Sequence, residues 1–234
     1  MIGDVLGWFT TAANWQGPDG IANRLAQHLG YVALALAIAL VIAIPIGLFV
    51  GHTGRGGIVL VSIGNAIRAL PTLGLVTFLF LLFTESTTAT VIGLVVLAIP
   101  PVLAGTYAGL QAAEHDVVDA AQGIGMTGWQ RLWQVEVPIA LPLVLGGIRN
   151  AVLQLIATAA VAAYVGLGGL GRFLLDGLAI LDYTEVVAGA ILTALLAIAV
   201  DLLLAAAQRA VVPKGVRLAA RAASGQAAVA GGAA

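Results

Sequence analysis

The chain has 234 residues, of which 61% are hydrophobic and only 9% charged, with a formal net charge of −1 and no cysteine. Ordinary soluble domains carry about 25% charged residues, so this composition points to a membrane protein. The lack of a basic surplus argues against nucleic acid as a partner, and without cysteine there is no disulfide frame, thiolate metal site or thiol nucleophile.

The opening "MIGDVLGWFT" lacks the basic stretch of a cleavable leader, so none is expected. Trp8, Phe9 and Trp15 suit a segment lying at a lipid–water interface, and residues 1–23 read either as that extracytoplasmic segment or as a frayed terminus. Pro18 and Asp19 open a short amphipathic helix that runs into a first span over about 27–50, where Pro45 predicts a kink. After the turn "GHTGRGG", an apolar stretch over about 58–83 is interrupted at Pro71 and forms one kinked helix or two shorter ones. A third span covers about 89–111 with Pro100 and Pro101 in its middle, a fourth about 138–164, and a last about 186–208. Uncharged apolar runs of this length predict membrane-spanning helices. The Ala/Gly-rich tail, residues 211–234, is expected to be disordered and cytoplasmic.

Five spans put the two termini on opposite sides. With the N-terminus outside, Arg55, Arg131, Arg209, Lys214, Arg217 and Arg221 fall on the cytoplasmic side, against Arg24 and Arg172 outside. Basic residues accumulate on the cytoplasmic side, which selects this orientation. The acidic "DGLAILDYTE" segment then lies outside, and the polar interval 112–137 lies in the cytoplasm.

That interval predicts two short helices. The first covers about 116–123, with Asp116 and Asp119 near its start, where the helix dipole favours anions, and with Gly123 and Gly125 at its end. Thr127 and Gln130 form a capping-box signature for the second, which carries Trp129, Leu132, Trp133 and Glu136 up to Pro138. A unit this short does not fold alone. Its two tryptophans predict docking on a partner or on the membrane surface.

After the fourth span, Gly166-Leu167-Gly168-Gly169-Leu170-Gly171 matches G-x-G-x-x-G, with Glu185 following where a ribose-binding acid would fall. A dinucleotide fingerprint needs a strand before it and a soluble βαβ setting. Here the glycines follow a membrane helix, so they serve either as part of an outer gate or in tight helix packing.

Asp119-Ala120-Ala121, three residues, Gly125, nine residues, then Val135-Glu136-Val137-Pro138 resembles the E-A-A-x3-G-x9-I-x-L-P loop of bacterial ABC importer permeases, with Asp for Glu and Val at both the Ile and Leu positions. The resemblance implies an all-α type I importer transmembrane fold over about residues 24–210, with the loop at about 114–138 seated in a groove of a cytoplasmic ATPase. In that setting Asp119, Ala120, Ala121, Gly125, Trp129, Trp133, Val135 and Pro138 form the coupling contact. It also implies a second permease, identical or paralogous, an ATPase dimer that binds ATP and Mg, and an extracytoplasmic binding protein. "IGNAIRALPTLGLV" (63–76), "DAAQGIGMTGWQRLWQVEVPIALPLVLGGIRNA" (119–151) and "GLGGLG" are similar to glycine betaine, carnitine and choline permeases. Methionine permeases are the nearest competitor, and a stand-alone channel or secondary transporter, or a membrane assembly module, are the rivals from other classes.

No catalytic constellation appears: His28, His52 and His115 lie far apart in sequence and on different sides of the topology, and no G-x-S-x-G, H-E-x-x-H or P-loop occurs. The sequence therefore predicts no enzyme, no metal and no cofactor in this chain. Asn65, Arg68 and Pro71, with Gly166, Gly168, Gly169 and Gly171, are the pathway and gate candidates. Arg149 and Asp201 fall at similar depths in the fourth and last spans and either pair or snorkel to water.

Overall fold

The computed structural model describes residues 2–212. Among the described residues every regular element is helical. These are α1 (Ile2–Thr10), α2 (Ile21–Thr53), α3 (Gly57–Arg68), α4 (Thr72–Phe83), α5 (Ser86–Gln111), α6 (His115–Gly123), α7 (Gly128–Arg131), α8 (Val137–Val161), α9 (Gly171–Ala179) and α10 (Tyr183–Val211). A 3-10 turn covers Ala12–Trp15 and another Ala162–Val165, and a π-helical turn at Leu132–Glu136 joins α7 to α8. Lys214, Arg217 and Arg221, and the expected disorder of the tail beyond residue 212, lie outside the described residues.

Among the described residues four stretches are long and apolar enough to cross a membrane: α2, α5, α10 and the run Gly128–Val165, which contains α8. Helices α3 and α4, 12 residues each, are long enough for a fifth crossing only as a pair, and the 87° bend between them makes that pair a broken span or a re-entrant loop. The interruption at Pro71 thus produces two helices. Pro71 has extended backbone (φ −67°, ψ 119°) and caps the start of α4. Proline clashes with a preceding helical turn, which explains why α3 ends at Arg68. By contrast α5 runs unbroken through Pro100 and Pro101, both buried. Protein on all sides supplies the packing that such prolines need in lipid.

The core is a three-helix column, α2–α5–α8, whose contacts are made by small residues. Ala35, Ala39, Ala43 and Gly47 recur every fourth position on α2 and are buried. A Cβ on Gly47 would stand 2.7 Å from Thr106 Cβ of α5, and one on Gly51 would stand 2.8 Å from Leu110 Cβ. Helices α5 and α8 meet backbone to backbone: a Cβ on Gly105 would lie 2.7 Å from Gly147 Cα, and one on Gly109 2.8 Å from the Ala140 carbonyl. Without a hydrophobic driving force in lipid, this kind of close approach is what holds membrane helices together. Val102, Leu155 and Ile156 fill the space between them. Helix α10 lies against α8 and α9, and α1 folds back on α9 and α10, with Trp8 edge-on to Phe173 at 5.4 Å.

Local chemistry sets the helix ends. Asp182 caps α10, its carboxylate accepting the Thr184 and Glu185 N–H groups at 2.9 and 3.3 Å. Glu85 caps α5 in the same way, accepting from Thr87 at 3.2 Å and Thr88 at 2.7 Å. Gly54, at φ +67°, closes α2 in the left-handed conformation that favours glycine. At 33 residues α2 is about 50 Å long. A hydrocarbon core is about 30 Å thick, so α2 is longer than a crossing requires.

Candidate functional site

The polar interval between α5 and α8 folds as α6, a glycine turn, α7 and the π turn. Helix α6 ends in a Schellman motif: the Met126 N–H donates to the Ala121 carbonyl at 3.1 Å and the Gly125 N–H to the Gln122 carbonyl at 2.9 Å. Gly125 takes φ +85° with no atom near its missing Cβ. The demand for glycine there is torsional, not steric. Thr127 and Gln130 complete a capping box at the start of α7, the hydroxyl accepting the Gln130 N–H at 3.3 Å and the Gln130 amide oxygen accepting the Thr127 N–H at 2.9 Å.

The loop presents an apolar face to its surroundings. Trp129 is 70% exposed and Trp133 46%, with their rings edge-to-face at 5.5 Å, and Ile124 and Val117 of the same loop are exposed too. Asp119, Ala120 and Gly125 are also exposed, Ala121 is buried, and Val135 and Pro138 are half-buried. Large exposed apolar groups on a rigid element mark an interaction surface.

Under that surface lies a cluster that the motif spacing did not disclose. Glu136, 4% exposed, receives the Arg131 Nε–H at 2.7 Å on one oxygen and faces His52 Nδ1 at 2.6 Å on the other. An ionised carboxylate only accepts, so His52 carries a proton on Nδ1. The 3.5 Å approach of Arg131 to that same nitrogen is then a contact between two donors. His52 and His115 line one cavity of about 240 Å³ with Gln111, Val118 and Glu136. Distant in sequence, His52 and His115 come to one cavity because α2 ends beside the start of α6.

At the other end of α2 sits the glycine segment. It follows a 3-10 turn, and no strand precedes it, so the dinucleotide setting is absent. Gly166 and Gly169 have φ +87° and +95°. A Cβ on Gly171 would fall 2.0 Å from the Ala160 carbonyl, and one on Gly168 2.1 Å from the Gln27 amide oxygen. Gln27 accepts the Gly169 N–H at 3.0 Å. His28, fully buried, accepts the Leu170 N–H on Nδ1 at 3.3 Å and meets the Ile156 carbonyl with Nε2 at 3.0 Å. Those two bonds fix the tautomer, with the proton on Nε2. Ser86 donates to the Val165 carbonyl at 2.7 Å. The segment is thus held by α2, α5 and α8 together.

The remaining candidates occupy other places. Asn65 and Arg68 line a small cleft of about 60 Å³ against Pro100, Leu103 and Ala104 of α5, while the glycines lie against the start of α2. Arg149 and Asp201 meet in a fork, Nε to Oδ1 at 2.5 Å and the terminal nitrogen to Oδ2 at 2.6 Å, joining α8 to α10. Gln208 donates to the Pro142 carbonyl at 2.9 Å further along the same pair of helices.

Comparison with known proteins gives a consistent picture. A family model described as "Binding-protein-dependent transport system inner membrane component" matches residues 43–216. The chain is 37% identical over 203 residues to the osmoprotectant import permease protein OsmW of Salmonella typhimurium, covering 84% of this chain and 94% of that one. It is 30% identical over 194 residues to the glycine betaine/carnitine/choline transport system permease protein OpuCB of Bacillus subtilis, covering 83% and 89%. Among solved structures, the MetNI methionine ABC transporter in an inward-facing conformation superposes with a TM-score of 0.73 at 22% identity, over 82% of this chain and 96% of that chain. That likeness speaks for the fold alone.

Proposed function

The chain belongs to the family of binding-protein-dependent transport system inner membrane components, and from that membership we propose that it is the membrane permease of an ATP-driven importer of small quaternary-ammonium osmoprotectants. The relatives with this length and identity carry names for glycine betaine, carnitine, choline and osmoprotectant import, which supports the substrate class over methionine. Membership also argues against a stand-alone channel, a secondary transporter or an assembly module. The permease does no chemistry of its own in this reading. ATP and Mg are bound by a separate ATPase dimer, substrate is delivered by an extracytoplasmic binding protein, and a second permease, the same chain or a paralogue, completes the pathway.

The observation that carries the reading is the loop between α5 and α8. Its apolar face of Trp129 and Trp133 stands out from the helical column, while its base is buried through Ala121, Leu132 and Glu136. A seat for an ATPase needs both an exposed contact and a rigid root. In this reading the loop end, with Arg55, Arg131 and Arg209, faces the cytoplasm, and the glycine segment, with Arg24 and Arg172, faces outside. Gly166, Gly168, Gly169 and Gly171 close the outer end of the pathway in this scheme, and Asn65 and Arg68 line it deeper, beside the break at Pro71.

Reconstitution tests it. The permease, its ATPase and its binding protein in liposomes are expected to accumulate labelled glycine betaine, carnitine or choline only with ATP inside the compartment that holds the ATPase. An inactive ATPase is expected to abolish uptake. Uptake of methionine in preference to quaternary amines would overturn the substrate class, and uptake without ATP would overturn the transport class.

A further inference from the structure

The loop feeds into α8 through the π-helical turn Leu132–Glu136, closed by the Val137 N–H donating to the Leu132 carbonyl. A π turn holds one more residue than an α turn, with poorer packing along its axis. Left to itself it is a compliant joint between the loop and the helical column. A push on Trp129 and Trp133 would then be absorbed there rather than passed on.

The buried cluster spans that joint. Arg131 precedes the π turn and Glu136 ends it, so their 2.7 Å ion pair ties the turn from one end to the other. His52 ties the same carboxylate to the last turn of α2 at 2.6 Å. Its ring also sits 3.4 Å from where a Cβ on Gly128 of α7 would be. Leu132 packs with Leu110 of α5 and Ala140 of α8 beneath it. The π turn also sets the direction of Glu136. In an unbroken α-helix residues seven apart share a face, so Glu136 would point the same way as Trp129. Instead Trp129 is 70% exposed and Glu136 4%. The extra residue turns the carboxylate inward to His52.

We propose that Glu136, held by His52 and Arg131, is a positioning residue that braces the π turn, so that the coupling loop and the α2–α5–α8 column move as one body. The inference rests on the proposed ATP-driven import. Glu136 is not part of the exposed contact surface. Its role is in how completely motion of that surface reaches the column.

The test uses the full complex in liposomes and measures three quantities side by side: recovery of ATPase with the permease, ATP hydrolysis, and uptake per ATP hydrolysed. Glu136→Gln keeps the shape and removes the charge. It is expected to assemble and hydrolyse ATP close to the wild type, while uptake per ATP falls about five- to thirtyfold, the range that corresponds to one lost interaction of ordinary size. Arg131→Lys keeps the positive charge and is expected to retain more coupling than Arg131→Ala. His52→Ala combined with Glu136→Ala is expected to cost less than the two single losses multiplied, since both break the same clasp. Unchanged uptake per ATP in an assembled Glu136→Gln complex would overturn the proposal. So would a loss of uptake that follows ATPase recovery step for step across the Arg131 pair, since that marks a purely structural role. Failure of the wild-type complex to import anything with ATP would overturn the transport reading itself, and the clasp with it.

Discussion

Gly146 and Gly147 are neighbours in α8, and alanine at the two positions is expected to act in opposite directions. A Cβ on Gly147 would stand 2.7 Å from the Pro101 carbonyl oxygen and 2.9 Å from Gly105 Cα, whereas a Cβ on Gly146 meets nothing within 4 Å. Ordinary contact begins near 3.4 Å, so Gly147→Ala falls short by about 0.7 Å against main chain that has no rotamer to change. The helices must part, which also loosens Gly109 against Ala140. Overpacking of this kind costs about 1–3 kcal/mol. Gly146→Ala meets no such obstacle and gains up to about 1 kcal/mol of helix propensity. For a chain of this length each kcal/mol moves the midpoint by about 2–4 °C. Thermal unfolding of the purified permease, followed by tryptophan fluorescence, is expected to show Gly147→Ala lower by roughly 2–12 °C and Gly146→Ala equal to or above the wild type. A midpoint for Gly147→Ala at or above the wild type, or Gly146→Ala as the damaging change, would show that α5 and α8 do not meet through their backbones.

Gly125→Val is expected to weaken ATPase recovery, because an L-residue in the left-handed region costs about 1–2 kcal/mol and β-branching adds to that; Gly123→Ala, equally open but without a positive φ, is expected to leave recovery within about twofold of wild type. Equal effects at the two positions would refute the torsional account. Arg149→Ala and Asp201→Ala are each expected to reduce assembly or uptake, and exchanging the two charges to restore part of it; additive losses in that double-mutant cycle would show that the fork between α8 and α10 carries no coupling. In this cysteine-free chain, Tyr164→Cys, at a site 62% exposed beside the glycine segment, is expected to react with an impermeant thiol reagent from outside the cell, and Trp129→Cys only from the cytoplasm. The reverse pattern would invert the topology. Finally, Thr88, through its side chain and N–H, and then Thr87 hold the Glu85 carboxyl below its ordinary range. A depressed folded value means that the cap stabilises the start of α5 above the unfolded pKa and is lost as pH falls through the folded one. An NMR titration of that carboxyl with a midpoint at or above the ordinary glutamate value would refute the cap.

Depth along a membrane helix was readable from the sequence, and rotation about it was not. The rise per residue is the same in every α-helix, so counting from the ends of the spans sufficed to set Arg149 and Asp201 at matching heights, and the structure puts them in contact. Uncharged apolar runs located the long helices, and local rules located the capping box at Thr127 and the break at Pro71, since each depends only on neighbours in the chain. Other features were visible but carried no weight when read alone. The four-residue spacing of Ala35, Ala39, Ala43 and Gly47 is in plain view, and only the facing surface of α5 gives it meaning. Gln27 and His28 look like an unremarked polar pair until the main chain of the glycine segment, more than a hundred residues away, arrives to be bonded. Glu136 is the hardest case. It occupies the unspecified position of the Val135-Glu136-Val137-Pro138 signature, and α-helical periodicity from Trp129 assigns it to the exposed face. One extra residue in the turn reverses that assignment. A π turn leaves no strong mark in composition, because it is selected by what its rotated side chain finds. Here that is the imidazole of His52, 84 residues earlier in the chain. A polar residue that periodicity places on an outward face, two positions before a proline and at the end of a π turn, is therefore one whose partner is better sought inside the fold than in solvent.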